Sequence, residues 1–345
     1  MTSVIDLFCG AGGLSHGFRL EGFDVLAGID INETFRYAFE VNNDARFLRC
    51  DVAKMAAKNI RDLFGTTSPT VLVGCAPCQP FSSYSQKNEN QEWQLVRTFG
   101  HLIRGVLPDI VSMENVPRLL RFRGGSVFRQ FVTMLRETGY RVHWSEVFAP
   151  DYGIPQRRTR LVLLASRHGA IQLESPSHHP ADYGTVRNAI GRLRPLEAGG
   201  IDALDPLHQA STLSEINLRR IAASIPGGSW RDWDNGLVAE CHKANTGRSY
   251  VSVYGRMSWD EPAPTITTQF YGFGNGRFGH PEQNRALSLR EGAILQSFPE
   301  TYEFVPSGHP IHFKTVGRMI GNAVPVLLAR TIARTIRRHL DKVDA

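Results

Sequence analysis

The stretch DLFCGAGGLS, residues 6–15, decides the fold of this chain. The apolar residues 4–9 predict a buried strand that runs into it, and residues 13–20 predict a helix that leaves it. Glycine at positions 10, 12 and 13 lets the backbone of the turn approach a ligand at the start of the helix. The stretch therefore indicates either a unit that binds a nucleotide-like cofactor or simply a tight strand–helix turn.

Asp30 favours the first alternative. It ends the second predicted strand, residues 25–30, about 20 residues after the glycines, where a carboxylate can accept hydrogen bonds from ribose hydroxyl groups. This pattern alone fits a nicotinamide-dependent dehydrogenase, but Ser15 replaces the third glycine of the usual G-x-G-x-x-G fingerprint. Asp51, after the third predicted strand, could accept a hydrogen bond from an adenine amino group, or it could cap a helix.

Further strand-like segments lie at residues 46–50, 71–75, 109–113 and 160–165, separated by segments of helix length. This alternation predicts βαβ units, and hence an α/β fold with a doubly wound, mostly parallel, Rossmann-like sheet. In such a fold, ligands bind at the carboxyl ends of the strands.

The character of the sequence changes after the last of these strands. Residues 175–285 are rich in Gly, Pro, Ser, Asn and aromatic residues, and only residues 214–223 look clearly helical. A long helical pattern returns over residues 315–338 and contains one proline. We therefore predict a larger domain of residues 1–174 plus 310–345 and a smaller, loop-rich domain of residues 175–309.

Composition bounds the class of protein. The chain has 345 residues, of which 42% are hydrophobic and 21% are charged, as in ordinary globular proteins. We find no apolar run of the roughly 18 residues that a membrane helix needs, and no secretory signal. Five cysteines in a chain of this length do not form a disulfide framework, which favours the cytoplasm. The net charge of +6 suits a polyanionic partner, although many proteins are equally basic.

The segment GCAPCQPFS, residues 74–82, places Cys78 just after the fourth predicted strand, at the carboxyl edge of the sheet. Pro77 and Pro80 stiffen the segment, so that the thiol is held in a rigid loop. The sequence offers no second ligand pair for zinc, and polar loop residues follow Cys78 where a redox motif would open a helix. A nucleophile, a redox pair with Cys75 and a packing role remain open.

Polar groups near the same edge favour the nucleophile. Glu114 directly follows the fifth predicted strand, which should neighbour the strand before Cys78. A thiol and a carboxyl group beside a cofactor cleft can act as nucleophile and proton donor, whereas a lone strand-end carboxylate is usually a solvated or capping group. Gln156, Arg158 and Arg160 alternate as they enter the next strand, so they should share one face and recognise a phosphate or carbonyl, or form salt bridges.

Taken in order, these blocks resemble those of the cytosine-5 DNA methyltransferases. The set comprises DLFCGAGGLS (6–15), Asp30, Asp51, GCAPCQPFS (74–82), ENV (114–116), QRRTR (156–160), LSLREGAILQSFP (287–299) and IGNAVP (320–325). The resemblance covers nearly the whole chain and lapses mainly between residues 175 and 255. It implies the methyltransferase form of the Rossmann-like fold, S-adenosylmethionine as cofactor, S-adenosylhomocysteine as product, and no metal.

The resemblance also implies the chemistry of a DNA (cytosine-5-)-methyltransferase. Cys78 would add as a thiolate to carbon 6 of a cytosine flipped out of double-stranded DNA, so that carbon 5 can attack the methylsulfonium. Glu114 would hold N3 and the amino group of the base, Arg160 its carbonyl group, and Arg158 would support the loop or a phosphate. The implied cofactor contacts are Phe8, Gly10, Gly12, Asp30, Ile31, Asp51, Val52, Pro77, Asn322 and Val324.

The loop-rich segment matches the family's target-recognition region. The implied DNA contacts are Arg248, Arg256, Gln269 and Arg277, because Arg and Gln can read guanine and adenine edges. A transfer-RNA methyltransferase of related design is disfavoured, because that family carries Cys-Phe-Thr in this region, whereas here Cys241 precedes His-Lys. A catalytically dead DNA-binding homologue is disfavoured because the catalytic set is complete.

The small size of the chain resembles that of bacterial modification enzymes. This likeness implies a monomer in the cytoplasm, associated with the nucleoid and with no membrane partner. It also implies methylation of a short specific sequence as part of a restriction–modification system, in which a cognate restriction endonuclease acts separately.

Overall fold

The computed structural model describes residues 2–77, 93–244 and 247–343, and the chain divides there into two compact units. Unit 1 takes residues 2–152, 159–177 and 323–343 of the described chain, and unit 2 takes residues 153–158 and 178–322. The strands are β1 (Ser3–Leu7), β2 (Asp24–Asp30), β3 (Arg46–Arg49), β4 (Thr70–Gly74), β5 (Ile110–Asn115), β6 (Arg141–Phe148), β7 (Gln156–Arg157), β8 (Thr159–Ser166) and β9 (Ala263–Pro264). The α-helices are α1 (Gly13–Leu20), α2 (Arg36–Asn43), α3 (Ala57–Phe64), α4 (Gln94–Val106), α5 (Ser126–Glu137), α6 (Val186–Ile190), α7 (Glu215–Ala222), α8 (Glu240–Lys243), α9 (Leu289–Leu295), α10 (Phe313–Asn322) and α11 (Val326–Val343). Within the described residues, none of these helices combines the length and apolar character required to cross a membrane.

Unit 1 is built on a seven-stranded sheet of order β3-β2-β1-β4-β5-β8-β6. β1 pairs in parallel with β2 and β4, β2 with β3, and β4 with β5, whereas β8 runs antiparallel to both β5 and β6. The strand order reverses at β1, because the chain first extends the sheet on one side and later returns to the other. The carboxyl ends of β1 to β5 therefore meet at one edge, where doubly wound folds bind their ligands.

Helices cover both faces of this sheet. Ile5 and Leu7 of β1 belong to an apolar cluster that includes buried side chains of α3, α4 and α5. Asp6 lies between them and so faces the other side of the sheet, where Ser15 of α1 donates a hydrogen bond to its carboxylate. α11 packs against α1. The predicted α/β fold with a doubly wound, mostly parallel sheet is thus confirmed.

Unit 2 has little regular structure and is held together mainly by side chains. β7 and β9 form a two-residue parallel pair, and a small apolar core contains Trp230, Trp233 and Phe273. Arg285 is fully buried and donates to both carboxylate oxygens of Glu291, at 2.7 and 2.8 Å. Because both charges of this ion pair are satisfied, burying it does not leave an isolated charge in the interior.

The C-terminal region differs from the sequence prediction. Residues 315–338 form two helices, α10 and α11, because Pro325 disfavours helical backbone at the residue before it. α10 belongs to unit 2, whereas the sequence placed residues 310–345 together in the larger domain. Gly317 and Gly321 of α10 pack so closely on residues 267–271 that a Cβ at either position would lie 2.4 Å from atoms of that segment.

Candidate active site

The candidate catalytic groups meet where β4, β5 and β8 lie side by side. The parallel register of β4 and β5 places Cys75, one residue past β4, beside Glu114. The antiparallel register of β5 and β8 places Val162 opposite Glu114, so Arg160 lies two residues away on the same face. The Cys75 thiol donates to Glu114 Oε2 over 3.0 Å, and Arg160 Nε lies 3.0 Å from Oε1. The two carboxylate oxygens thus have partners from opposite neighbouring strands.

Glu114 is a buried carboxylate, with 3% of its side chain exposed. A buried charge is costly unless it is paired, and Arg160, itself largely buried, supplies the positive charge. The adjacent Asn115 donates from Nδ2 to the Ala76 carbonyl over 3.0 Å, which ties the segment after β4 to the end of β5. That segment leads into Cys78, which lies outside the described residues.

The glycine turn after β1 forms an open edge. Gly10 has a φ of +53°, a left-handed conformation that favours glycine, and no atom lies within 4 Å of the place its Cβ would take. Its N–H donates to Asp30 Oδ2 over 3.1 Å, and the N–H of Asn32 donates to Oδ1 over 2.9 Å. Ile31 is 63% exposed. Free space, an oriented carboxylate and an exposed aliphatic surface fit the adenosine part of a cofactor.

Phe8 bends the chain into this turn. Its φ is +62°, and both its N–H and that of Cys9 donate to the Ile29 carbonyl, over 2.8 and 3.2 Å. Left-handed backbone at a bulky residue costs on the order of 1 kcal/mol or more, and such strain clusters at functional sites. Gly12, with a φ of +92°, then precedes the first residue of α1 and carries no side chain that could cap the helix.

Asp51 lies on the same edge, because β3 pairs with β2. Its Oδ1 accepts a hydrogen bond from the N–H of Ala53 over 3.0 Å, so it caps a short 3₁₀ turn, as one of the two alternatives from the sequence proposed. The other predicted cofactor residues have different surroundings: Val52 and Val324 are buried in unit 1, Pro77 is the last described residue before the gap at 78–92, and Asn322 is exposed at the end of α10 in unit 2.

Residues 156–160 do not form one strand. Gln156 belongs to β7 in unit 2, where its side chain donates to the Leu295 carbonyl and accepts from the N–H of Ile266. Arg158 is also buried in unit 2 and donates to the Ile266 carbonyl over 3.2 Å. Arg160 belongs to β8 in unit 1. The prediction that these three polar side chains share one strand face is therefore wrong, and of the three it is Arg160 that pairs with Glu114.

The residues predicted to contact DNA differ in exposure. Arg256 is 4% exposed, and its guanidinium donates to four backbone carbonyl groups and to Asn284. Its donors are engaged inside unit 2, so it supports the fold, which corrects its assignment to DNA. Arg248 and Gln269 are exposed, and Arg277 lines a cleft of about 790 Å³ in unit 2.

Known proteins share both the sequence and the fold. The model of the C-5 cytosine-specific DNA methylase family matches residues 2–338. The chain is 54% identical over 340 residues to the type II methylase M.HgiDII of Herpetosiphon aurantiacus, covering 98% of this chain and 96% of that protein. It is 31% identical over 340 residues to the type II methyltransferase M1.HphI of Haemophilus parahaemolyticus, covering 97% and 86%.

Among solved structures, a prophage-encoded Escherichia coli protein described as a DNA modification methyltransferase superposes with a TM-score of 0.77 at 22% identity, covering 99% of this chain and 100% of that one. The Dnmt2 methyltransferase of Schizosaccharomyces pombe superposes with a TM-score of 0.67 at 17% identity, covering 98% and 99%. At these identities the two structures support the fold alone. From the family match and the relatives above 30% identity, the chain belongs to the C-5 cytosine-specific DNA methylase family, as its sequence blocks predict, and it is a DNA (cytosine-5-)-methyltransferase.

Proposed function

We propose that the enzyme methylates a cytosine flipped out of duplex DNA through a transient covalent bond between Cys78 and carbon 6 of the base. The observation that carries this proposal is the buried pair of Glu114 and Arg160 at the carboxyl edge of the sheet, with 3.0 Å between Nε and Oε1. Cys78 follows three positions after Cys75, whose thiol contacts the same carboxylate. A thiol, an acid and a cation are the groups that addition to a pyrimidine needs.

The proposed role of Cys78 is to activate carbon 5, which is a weak nucleophile in free cytosine. Its thiolate adds to carbon 6, and the electron pair of the 5,6 double bond becomes available at carbon 5. S-adenosylmethionine, when bound, supplies a methyl group already activated as a sulfonium. After carbon 5 has taken the methyl group, loss of the carbon 5 proton and cleavage of the carbon 6–sulfur bond restore the aromatic ring and the thiolate.

Glu114 is proposed to hold the amino group of the base through a carboxyl oxygen and, in its protonated form, to donate its proton to N3 as negative charge develops in the ring. Because its carboxylate is buried, its hydrogen bonds act at low dielectric, where they are stronger than in water. Arg160 fixes that carboxylate and is proposed to hold the carbonyl group of the base. Arg158, bonded to the Ile266 carbonyl, is proposed to support the surrounding loop.

The open glycine edge is proposed to bind S-adenosylmethionine. Asp30 would accept hydrogen bonds from the ribose hydroxyls, and Phe8 and Ile31 would flank the adenine. Gly10 and Gly12 leave room for the methionine part, since the space in front of Gly10 is open. The remaining contacts proposed by resemblance are Asp51, Val52, Pro77, Asn322 and Val324.

The substrate is proposed to be a short specific sequence in duplex DNA. Extruding the target base costs a few kcal/mol, which contacts to the surrounding DNA must offset. The exposed Arg248 and Gln269, together with Arg277 at the cleft of unit 2, are the proposed contacts. The relatives at 54% and 31% identity are named type II enzymes. On this basis we propose that the enzyme belongs to a restriction–modification system with a separate endonuclease and, from the small size of the chain, that it acts as a monomer.

The test is methyl transfer with radiolabelled S-adenosylmethionine. Wild type should label duplex DNA, Cys78→Ser should not, and Cys241→Ser, a matched change at an exposed cysteine, should leave labelling unchanged. A 5-fluorocytosine duplex should give an irreversible adduct at residue 78, and bisulfite sequencing of DNA from expressing cells should give the target sequence. An active Cys78→Ser variant would refute the covalent mechanism, and labelling of transfer RNA without DNA would refute the substrate.

A further inference from the structure

We propose that Cys75 is a positioning residue for the reaction, whose thiol orients the Glu114 carboxylate before the base arrives and then gives up its place to the base. The inference rests on the proposed role of Glu114. It assigns a function to the first cysteine of GCAPCQPFS, a residue that the chemistry of Cys78 does not use.

The contacts of Glu114 show how it is oriented. Arg160 on β8 approaches Oε1 and the Cys75 thiol approaches Oε2, each at 3.0 Å. The thiol makes the one hydrogen bond to this carboxylate among the described residues, whereas the Arg160 contact is an ion pair, and together the two restrict the plane of the carboxylate. Removing the thiol would leave Arg160 as the one partner that holds the carboxylate among the described residues, and the group could then turn about its last torsion, which is intrinsically soft.

The location of Cys75 makes its contact exchangeable. Glu114 and Asn115 are buried, whereas Cys75 is partly exposed at the point where the chain leaves β4 for the loop that carries Cys78. Oε2 therefore faces the side from which a base would have to approach. When the amino group of a cytosine arrives, it can replace the S–H at this oxygen while Arg160 keeps its hold on Oε1.

The chemistry of sulfur suits such an exchange. A thiol is a weak hydrogen-bond donor compared with a hydroxyl or an amino group. The thiol therefore satisfies Oε2 in the free enzyme, where an unpaired buried acceptor would be costly, but it competes poorly with the amino group of the base. A hydroxyl at position 75 would orient the carboxylate equally well and compete more strongly with the substrate.

The test separates these two effects by steady-state kinetics on duplex DNA. Cys75→Ala should lower kcat/KM for DNA about tenfold, the scale of one orienting hydrogen bond, with kcat little changed because the base occupies Oε2 once it is bound. Cys75→Ser should lower kcat/KM only about threefold, because its hydroxyl keeps the carboxylate oriented but holds Oε2 against the base. Cys241→Ala, at an exposed cysteine, is the control and should match wild type.

A wild-type kcat/KM in Cys75→Ala would overturn the inference, and so would a Cys75→Ser variant with a kcat/KM as low as that of Cys75→Ala, since a packing role would be lost in both. Glu114→Gln in the same assay keeps the two proposals apart. If Glu114→Gln is fully active, the proposed role of Glu114 fails, and the function of Cys75 fails with it. If Glu114→Gln is inactive while Cys75→Ala behaves as wild type, the inference about Cys75 alone fails.

Discussion

Replacing Asp6 by Asn should raise the stability of the protein relative to wild type by an amount that grows as the pH rises from about 4 through about 7. Asp6 has no exposed surface, and its Oδ2 accepts a hydrogen bond from the Ser15 hydroxyl over 2.7 Å. Burial raises the pKa of this carboxyl group from 3.8 to about 7; the Ser15 hydrogen bond opposes the shift, and the nearby Asp30 adds to it. An asparagine can still accept the Ser15 hydrogen bond through its carbonyl oxygen, but it carries no charge.

The sign of the effect follows from the two pKa values. The folded state binds the Asp6 proton more tightly than the unfolded state, so protonated Asp6 stabilises the fold. This contribution is fully present below pH 3.8 and is lost as the pH rises through about 7. The gap between the two values corresponds to about 4 kcal/mol of unfolding free energy. Because the substituted asparagine does not titrate, the advantage of Asp6→Asn over wild type should widen by about 3 kcal/mol between about pH 5 and about pH 8.5.

Urea unfolding of the cofactor-free protein at these two pH values, followed by circular dichroism, measures the stability difference between variant and wild type. Comparing variant with wild type at each pH cancels the contribution of titrating groups that do not interact with Asp6. Asp62→Asn makes the same chemical change at an exposed position of α3 and should show no such widening. A stability difference between Asp6→Asn and wild type that is the same at both pH values would refute the reasoning.

Two further changes test the cofactor edge and the interior of unit 2. Gly10→Val should weaken S-adenosylmethionine binding at least about tenfold, measured by calorimetry, because its side chain would enter the open space at the edge. Gly65→Val is the matched control, since Gly65 also has a positive φ, +60°, with open space in front of it, and equal affinity losses would refute the assignment. Burial opposes the ionisation of Glu291, but the effect of Arg285 is larger and lowers the pKa of Glu291 to about 2. The ion pair should therefore stabilise the fold above about pH 4.5, and this stabilisation should be lost as the pH falls from 4.5 toward 2. Glu291→Gln should therefore lower the free energy of unfolding by about 3 kcal/mol at pH 7, because it leaves Arg285 buried and unpaired. Thermal melts should show that this loss of stability becomes smaller in acid, and a loss that is independent of pH would contradict the pairing.

The parts of the fold that the sequence predicts are those that local patterns determine. Apolar runs such as 71–74 and 161–165 are buried on both faces in the sheet, so their composition alone marks them as strands. β6 is missed because most of its residues are half-buried or exposed, and Arg141-Val-His-Trp-Ser-Glu146 carries no apolar run. The glycine turn is predicted because its backbone conformation restricts the residue type.

The site is predicted less completely because its contacts depend on distant parts of the chain. Arg256 is an arginine in a loop-rich basic region, and its sequence neighbours give no sign that backbone carbonyls from several segments converge on it. The contact between Cys75 and Glu114 depends on the register of β4 and β5, which follows only when both strands and their pairing are known. Had that register been assumed, the sequence would have pointed to Cys75 as well as to Cys78.

The course of the chain has a consequence for how new target preferences could be inherited. Residues 153–158 belong to unit 2 but are separated in sequence from the rest of it, and they reach it through the β7–β9 pair and through Gln156 and Arg158. Gln156 and Arg158 form hydrogen bonds with main-chain groups of Ile266 and Leu295, which any amino acid can supply. A recombination event that replaced residues 178–322 wholesale would therefore re-form these main-chain contacts, provided the incoming backbone followed the same path, whereas the bond from Gln156 to the side chain of Gln296 would need an acceptor at that position. On the proposal that unit 2 recognises the DNA target, specificity could then diversify by exchange of residues 178–322 while residues 153–158 stayed in place.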